Sequence, residues 1–250
     1  MENKLFHVHT FRCGHAEIVP DEAYIRKALE LGFQEIYFSD HAPFPGDPFG
    51  NRMNFDQLPE YLQTLGELKE KYEEQIAVHV GLEIKYLPSF QTYYEDLKAD
   101  EGLDFLLLGQ HFCELPVGDE PSLDFGVHYS FQLSEGDLQN MEYSLCGMSS
   151  VNAIQTGLFD YVAHPDRVFR RRAGWGEPET EVARQIVSIA KEKNIPLEHN
   201  LSSMRKENYY RKEFWKMVPD DHPIIIGFDA HFLTDIDTGM QQLLGDELEE

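Results

Sequence analysis

The stretch Asp104-Phe-Leu-Leu-Leu-Gly-Gln-His111 sets four consecutive apolar residues behind an aspartate and then ends on a histidine. A strand with one wet face would alternate polar and apolar residues. An unbroken apolar run therefore predicts a strand buried on both faces, as in a parallel sheet covered by helices. Ile224-Ile-Ile226, shortly before Asp229, repeats the pattern. Working outward from these runs, strands are predicted over 4–9, 35–41, 76–83, 104–111, 159–164, 195–200 and 223–229. Helices are predicted between them. Residues 20–31 open on proline and acidic residues and stop before Gly32, the end signals of a helix. Residues 55–74 and 177–193 are charged and amphipathic, and shorter helices are expected to start near Ser89, Ser134, Arg205 and Leu233.

Every predicted strand carries a polar group at its C-terminal end: His7 and His9, His41, Glu83, His111, His164, Asn200 and Asp229. In a closed barrel all strand ends converge on one mouth, whereas an open doubly wound sheet would bring only two or three together. The alternation of strand and helix with this placement predicts an α/β fold, a TIM-barrel-like (β/α)7 barrel. No repeat, low-complexity tract or linker interrupts 1–250, so one domain is expected, with 245–250 a frayed acidic tail.

Bulk properties narrow the function. Apolar residues make up 42% of the 250, enough for a substantial core. Three cysteines, Cys13, Cys113 and Cys146, stand at no metal-like spacing and cannot form a closed disulfide set, which fits a reducing compartment. The N-terminus lacks the apolar run of a signal peptide, so a cytoplasmic location is expected. No stretch of about 18 apolar residues exists to span a membrane. The net charge of −24 disfavours nucleic acid and anionic membranes as partners. A phosphorylated substrate would need local positive charge, which metal ions can supply.

Seven of the 11 histidines fall in short motifs from end to end of the chain. Neutral imidazole is the commonest protein ligand for zinc-like metals. His7 and His9, two apart on a strand, are expected to share a face and clamp one ion. His15 lies in a loop with Gly14, where the chain can turn back over the mouth. Glu83 can enter the mouth and bridge two ions. Asp229-Ala-His231 repeats the two-apart spacing.

The series His7-x-His9, Cys13-Gly-His15-Ala, Ser39-Asp-His41-Ala-Pro, Gly81-Leu-Glu83, Gly109-Gln-His111, His164-Pro-Asp-Arg167 and Asp229-Ala-His231 resembles that of the polymerase-and-histidinol-phosphatase (PHP) superfamily. The resemblance runs over nearly the whole chain and is nearest to the histidinol-phosphatase branch. It implies a distorted seven-stranded barrel holding three divalent ions, with zinc, manganese and iron all suited to such mixed nitrogen and oxygen sites. By resemblance, one ion takes His7, His9, Glu83 and Asp229, a second takes Glu83, His111 and His164, and the third takes His15, His41 and His231. Glu83, Asp229, His231 and Asp40 are the candidate catalytic residues; the proton for the leaving oxygen is left open among Asp40, Asp166 and His231, with Asp40 also suited to orienting a ligand histidine. Arg167, Arg205 and Asn200 are the implied substrate contacts.

The implied activity is phosphomonoester hydrolysis of L-histidinol phosphate to L-histidinol and phosphate, with a metal-activated hydroxide as nucleophile. The alternatives are a phosphodiesterase, or a phosphatase for another small phosphorylated metabolite. An acidic pocket rim is expected, favouring a cationic leaving group. His79 is expected as a packed interior histidine, 44–54 as either a lid or an ordinary connection, and Arg170, Arg171 and Arg172 as a solvated loop. The residues leave oligomeric state open.

Overall fold

A computed structural model describes residues 3–115 and 127–246. Seven parallel strands close on themselves in chain order: β1 (Lys4–Val8), β2 (Glu35–His41), β3 (Ala77–Ile84), β4 (Phe105–Leu108), β5 (Tyr161–Val162), β6 (Leu197–Asn200) and β7 (Ile224–Ala230). β7 pairs with β1 through Phe6↔Gly227 and Val8↔Ala230, which completes the ring. The helices are α1 (Asp21–Glu30), α2 (Leu58–Tyr72), α3 (Gln91–Ala99), α4 (Glu135–Thr156), α5 (Glu177–Lys193), the single turns α6 (Leu201–Met204) and α7 (Lys212–Trp215), and α8 (Leu233–Asp246). The barrel is the predicted one. Among the described residues no helix is long and apolar enough to cross a membrane.

Two apolar layers follow from strand alternation. Outward residues such as Leu5, Ile36, Phe38, Leu82, Leu106 and Leu108 pack beneath the helices. Inward residues Phe6, Tyr37, Phe105, Leu107 and Ala163 form a separate cluster that plugs the N-terminal half of the barrel. His79 stacks on Tyr37 in this layer, its Nε2 3.2 Å from Glu35. With the lower half filled by rings, the polar strand ends are left to occupy the upper half alone.

The expected shared face of His7 and His9 forms by a different route. His7 has φ 69°, and pairing of β1 with β2 jumps from Leu5↔Ile36 to Val8↔Phe38. This bulge turns Phe6 and His7 both inward, while Leu5 and Val8 both join the outer core. His9 lies past the strand end, where its N–H donates to Ala230 O at 2.9 Å.

Other boundaries also move. β4 and β5 are shorter than predicted, and His164, at φ 29°, turns the chain away after β5. The helix expected to be short after Ser134 is α4, 22 residues long, capped by the Ser134 side chain and ended by Gly157 at φ 72°. No helix starts at Arg205, which instead closes the turn α6. α8 runs through Asp246, so the expected tail is helical in its first two residues, and 247–250 lie outside the described residues. Loop 44–54 is a packed wall: Phe44 and Met53 are fully buried, and Phe49 lies against Phe112 and Tyr129.

Candidate metal centre

The nine groups that the sequence marks as ligands meet at the C-terminal mouth. His7 Nε2 lies 3.6 Å from Glu83 Oε2 and 3.9 Å from Asp229 Oδ1. His9 Nε2 lies 3.8 and 3.4 Å from the same two oxygens. On the other side of Glu83, Oε1 is 2.9 Å from His164 Nε2 and 3.3 Å from His111 Nε2. The rings of His15, His41 and His231 form a third group, with centroids 5.2 Å (His15–His41), 4.6 Å (His15–His231) and 5.9 Å (His41–His231) apart. His41 Nδ1 reaches back to Glu83 Oε2 at 2.7 Å. The Glu83 carboxylate is thus the hub of the cluster. It fits there because β4 continues into Gly109: a Cβ at that position would stand 1.9 Å from Glu83 Oε1.

Backbone conformation helps to aim three of these groups. His7, His164 and Asp229 have φ values of 69°, 29° and 51°, a region that residues with side chains adopt sparingly and that clusters at functional sites. No local sequence signal announces it.

The donor set passes a test for cations. His7 Nε2, both ring nitrogens of His9, His41 Nδ1, Glu83 Oε2 and His231 Nε2 are buried without a hydrogen-bond partner. Buried polar atoms are almost always paired, so lone pairs turned on one another call for an electrophile between them. Several groups of three ligand atoms lie close enough to share an ion, including His7 with His9 and Asp229, His9 with His41 and His231, and His41 with Glu83 and His111.

Protonation states divide. Burial opposes charge on His7 and His9, but Glu198 and Asp229 beside the first, and Asp229 and Asp40 beside the second, raise both above the ordinary histidine range, so a metal there would displace protons. Burial pushes His41 and His111 well below the ordinary histidine range. Burial also pushes His231 down, to about 3. Burial opposes ionisation of Glu83 and Asp229, but His111 and His41 beside the first, and Arg167 and His7 beside the second, hold both carboxyls well below their usual values. Neutral imidazoles around ionised carboxylates are the forms that bind metal. Cys13 stays a thiol, since burial raises it to about 12.

Behind the ligands stands a layer that the sequence reading only half found. Asp40 is fully buried behind His9, its Oδ1 3.7 Å from His9 Nδ1 and its other oxygen accepting from Thr10 Oγ1. It stands behind His9 at ion-pair distance, without a hydrogen bond to that ring, and is absent from the cavity lining, so it does not face a substrate as a catalytic residue would. Glu198 was missed. Its Oε1 lies 2.6 Å from His7 Nδ1, and its Oε2 accepts from the His164 N–H at 2.8 Å. Gly227 makes room for it, since a Cβ there would lie 1.6 Å from Glu198 Oε1. Strand parity was the available signal: on β6, Glu198 shares the inward face of Asn200.

Above the cluster opens a cavity of about 810 Å³. Its lining includes His15, His41, His111, Asp229 and His231 together with Arg52, Lys85, Arg167, Arg205 and Lys206. The expected acidic rim is therefore wrong. Much of the acid lies on the outer surface or behind the ligands, while five basic side chains face the cavity against only Asp229 and Asp235, and Asp235 is engaged with the His231 and Phe232 N–H groups. Burial, reinforced by Arg52, pushes the Lys85 ammonium well below the ordinary lysine range.

The three expected substrate contacts fare differently. Arg205 is exposed at the rim, Nη1 donating to Gln242 Oε1 at 3.2 Å. Arg167 lines the cavity, but its Nη2 is held by Asp229 Oδ2 at 2.8 Å and Ser203 Oγ at 2.7 Å. Asn200 is 1% exposed and lies behind the cavity wall. Its Oδ1 accepts from the Ser203 N–H, and its Nδ2 donates to Glu198. It braces Arg167 and Glu198 instead of facing a ligand. The Arg170–Arg172 loop is also not solvated as expected: Arg170 and Arg171 grip the buried Glu142 of α4 at 2.6 and 3.0 Å, and Arg172 grips Glu179 at 2.6 Å.

The sequence profile of the PHP domain family matches residues 6–202. The "Probable histidinol-phosphatase" of Deinococcus radiodurans is 27% identical over 232 residues, covering 90% of this chain and 85% of that protein. The histidinol-phosphatase of Bacillus subtilis is 26% identical over 261 residues, covering 94% and 96%. Among solved structures, the histidinol phosphate phosphatase of Lactococcus lactis, crystallised with zinc, L-histidinol and phosphate, superposes with a TM-score of 0.65 at 19% identity, covering 96% of this chain and 93% of that one.

Proposed function

The chain belongs to the PHP domain family, and from that premise we propose that it is a metal-dependent phosphomonoesterase converting L-histidinol phosphate and water to L-histidinol and phosphate. The observation that carries this reading is the ring of unpartnered ligand atoms around Glu83 at the floor of a cationic cavity. The names of the relatives, and the zinc, histidinol and phosphate bound by the Lactococcus enzyme, support the metal and the substrate.

Three divalent ions suit the donor grouping: one on His7, His9, Glu83 and Asp229, one on Glu83, His111 and His164, one on His15, His41 and His231. When bound, such ions set positive charge against phosphoryl oxygens and acidify water near neutral pH. The protein does the rest. Glu83 holds two ion sites in fixed relation, so its loss loosens both. Asp229 links the first site to Arg167. That guanidinium, with Nη2 tied to Asp229, presents its remaining edge to a phosphate entering the cavity. Arg205 at the rim meets the same dianion from outside. Glu198 fixes the ring of His7, Asp40 stands behind that of His9, and His231 closes the mouth beside His15.

The test is phosphate release by metal-loaded enzyme from histidinol phosphate, beside bis(p-nitrophenyl) phosphate as a diester. Histidinol phosphate should be hydrolysed and Glu83→Gln should abolish most of the rate. A preference for the diester would overturn the reading.

A further inference from the structure

The phosphatase reading uses one wall of the cavity, yet the opposite wall is also cationic. Arg52 comes from the loop after β2 and Lys85 follows β3, whereas Arg167 follows β5 and Arg205 follows β6. In a ring closed in chain order, the second and third strands stand across the mouth from the fifth and sixth. Lys85 is 3% exposed, with its ammonium 4.9 Å from the Phe112 ring centre. Arg52 rests 5.5 Å from the rings of Phe44 and Phe49, donates from Nη1 to Ala42 O at 3.2 Å, and buries Nε without a partner. Among the described residues no carboxylate forms an ion pair with either. The nearest, Glu83, is committed to His41, His111 and His164.

Several other buried cations meet carboxylates: Arg12 meets Asp21 and Glu60, Arg167 meets Asp229, and Arg170 meets Glu142, whereas Arg211, away from the cavity, is held by the Phe169 and Arg172 carbonyls. A partly buried guanidinium and a buried amine in one wall, with no carboxylate paired to either among the described residues, are poorly satisfied unless an anion joins them. Both line the cavity, so the anion comes from a ligand. Histidinol, which carries an amine and an imidazole, offers none.

We propose that Arg52 and Lys85 form a second oxyanion subsite facing the phosphoryl clamp, and that the enzyme also hydrolyses phosphomonoesters whose leaving group carries a carboxylate or a second phosphate. This rests on the phosphatase reading. Water adds to phosphorus, the ester P–O bond breaks with its electron pair passing to the leaving oxygen, and that oxygen takes up the proton released by the water. The second anion stays intact and only positions the ester across the cavity.

Matched substrate pairs test this on metal-loaded enzyme: 3-phosphoglycerate against glycerol 3-phosphate for the carboxylate, and fructose 1,6-bisphosphate against fructose 6-phosphate for the phosphate. At least one pair should show kcat/KM about 10- to 100-fold higher for the doubly anionic member, the effect of charge-assisted hydrogen bonds to one group. The pair that shows it identifies the oxyanion. Arg52→Gln and Lys85→Gln should each cut that ratio about tenfold, and Lys85→Arg should retain most of it. Equal loss on both members of a pair would mean that the two cations hold the transferred phosphate, and would overturn the proposal. Hydrolysis of histidinol phosphate with no preference in either pair overturns the subsite alone; no release from any monoester overturns the phosphatase reading as well. Thermal melting gives a second readout. Lys85→Met should raise the Tm of the ligand-free protein by removing a buried amino group that no carboxylate pairs, and a lowered Tm would show that the amine is already satisfied within the protein and sink the idea.

Discussion

Glu198 shows how much of a metal centre lies one shell behind its ligands. Its carboxylate holds His7 by Nδ1, which leaves Nε2 turned toward Glu83 and Asp229. Partners of this kind fix tautomer and ring direction, and their removal commonly costs about 10- to 100-fold in metal affinity or activity. Glu198→Gln should therefore lower both metal occupancy and kcat/KM by that order, measured by metal titration alongside turnover; full occupancy with normal turnover would remove Glu198 from the site. Asp166 supplies a pH test. Burial raises its carboxyl from 3.8 to about 7, although Arg211 N–H and Trp215 Nε1 donate to it at 2.7 and 3.0 Å. The folded state thus keeps a proton that the unfolded chain releases near pH 4. Its contribution is whole below that pH and is lost as pH rises toward about 7, a change of about 4 kcal/mol. Asp166→Asn, which still accepts both hydrogen bonds, should flatten the fall in stability between about pH 4 and 7 seen in melting curves. The candidate ligands were legible in the sequence because all but His15 stand at or just past a strand end. The aim of His7, His164 and Asp229 was not, since left-handed backbone at a residue with a side chain is imposed by its surroundings.

At the scale of elements, strands were easier to read than helices. Near-continuous apolar runs mark strands covered on both faces. α4 was underestimated because its inward stripe is Leu138, Glu142, Cys146, Ser150, Ala153 and Ile154. The spacing is helical, but polar and small side chains hide it from a reading that looks for large apolar residues. Glu142 is buried there only because Arg170 and Arg171 meet it from the loop after β5. A similar clasp sits under the His15 loop. Arg12 makes two bonds to Asp21 at the start of α1 and two to Glu60 in α2. The Arg12 and Asp21 side chains are 1% and 2% exposed, so deleting the arginine strands a buried carboxylate. Arg12→Ala should cost about 3–5 kcal/mol in urea unfolding, with part recovered in the double variant Arg12→Ala/Asp21→Asn. Equal stability of the single variant and the parent would show that the clasp is idle.

The whole molecule separates its charge. A chain of net −24 keeps five cations and its histidine cluster around one cavity and leaves much of its acid outside. Composition alone could not reveal this, because it does not say which side of the wall a charge faces. The buried, unpartnered nitrogens of His7, His9, His41 and His231 make the fold depend on what fills the space between them. Chelation should lower Tm as well as activity, and restored divalent metal should recover both. Ligand at about 100 times its dissociation constant is worth about 2.7 kcal/mol. An unchanged melting curve after complete metal removal would contradict the arrangement. The barrel seam adds a constraint on synthesis. His7 and Asp229, which share one ion in the proposed function, are carried by β1 and β7, which pair only when the ring closes. A growing polypeptide on the ribosome therefore cannot complete that proposed site until β7 has emerged, and a chain stopped before residue 229 should bind less metal than the full barrel.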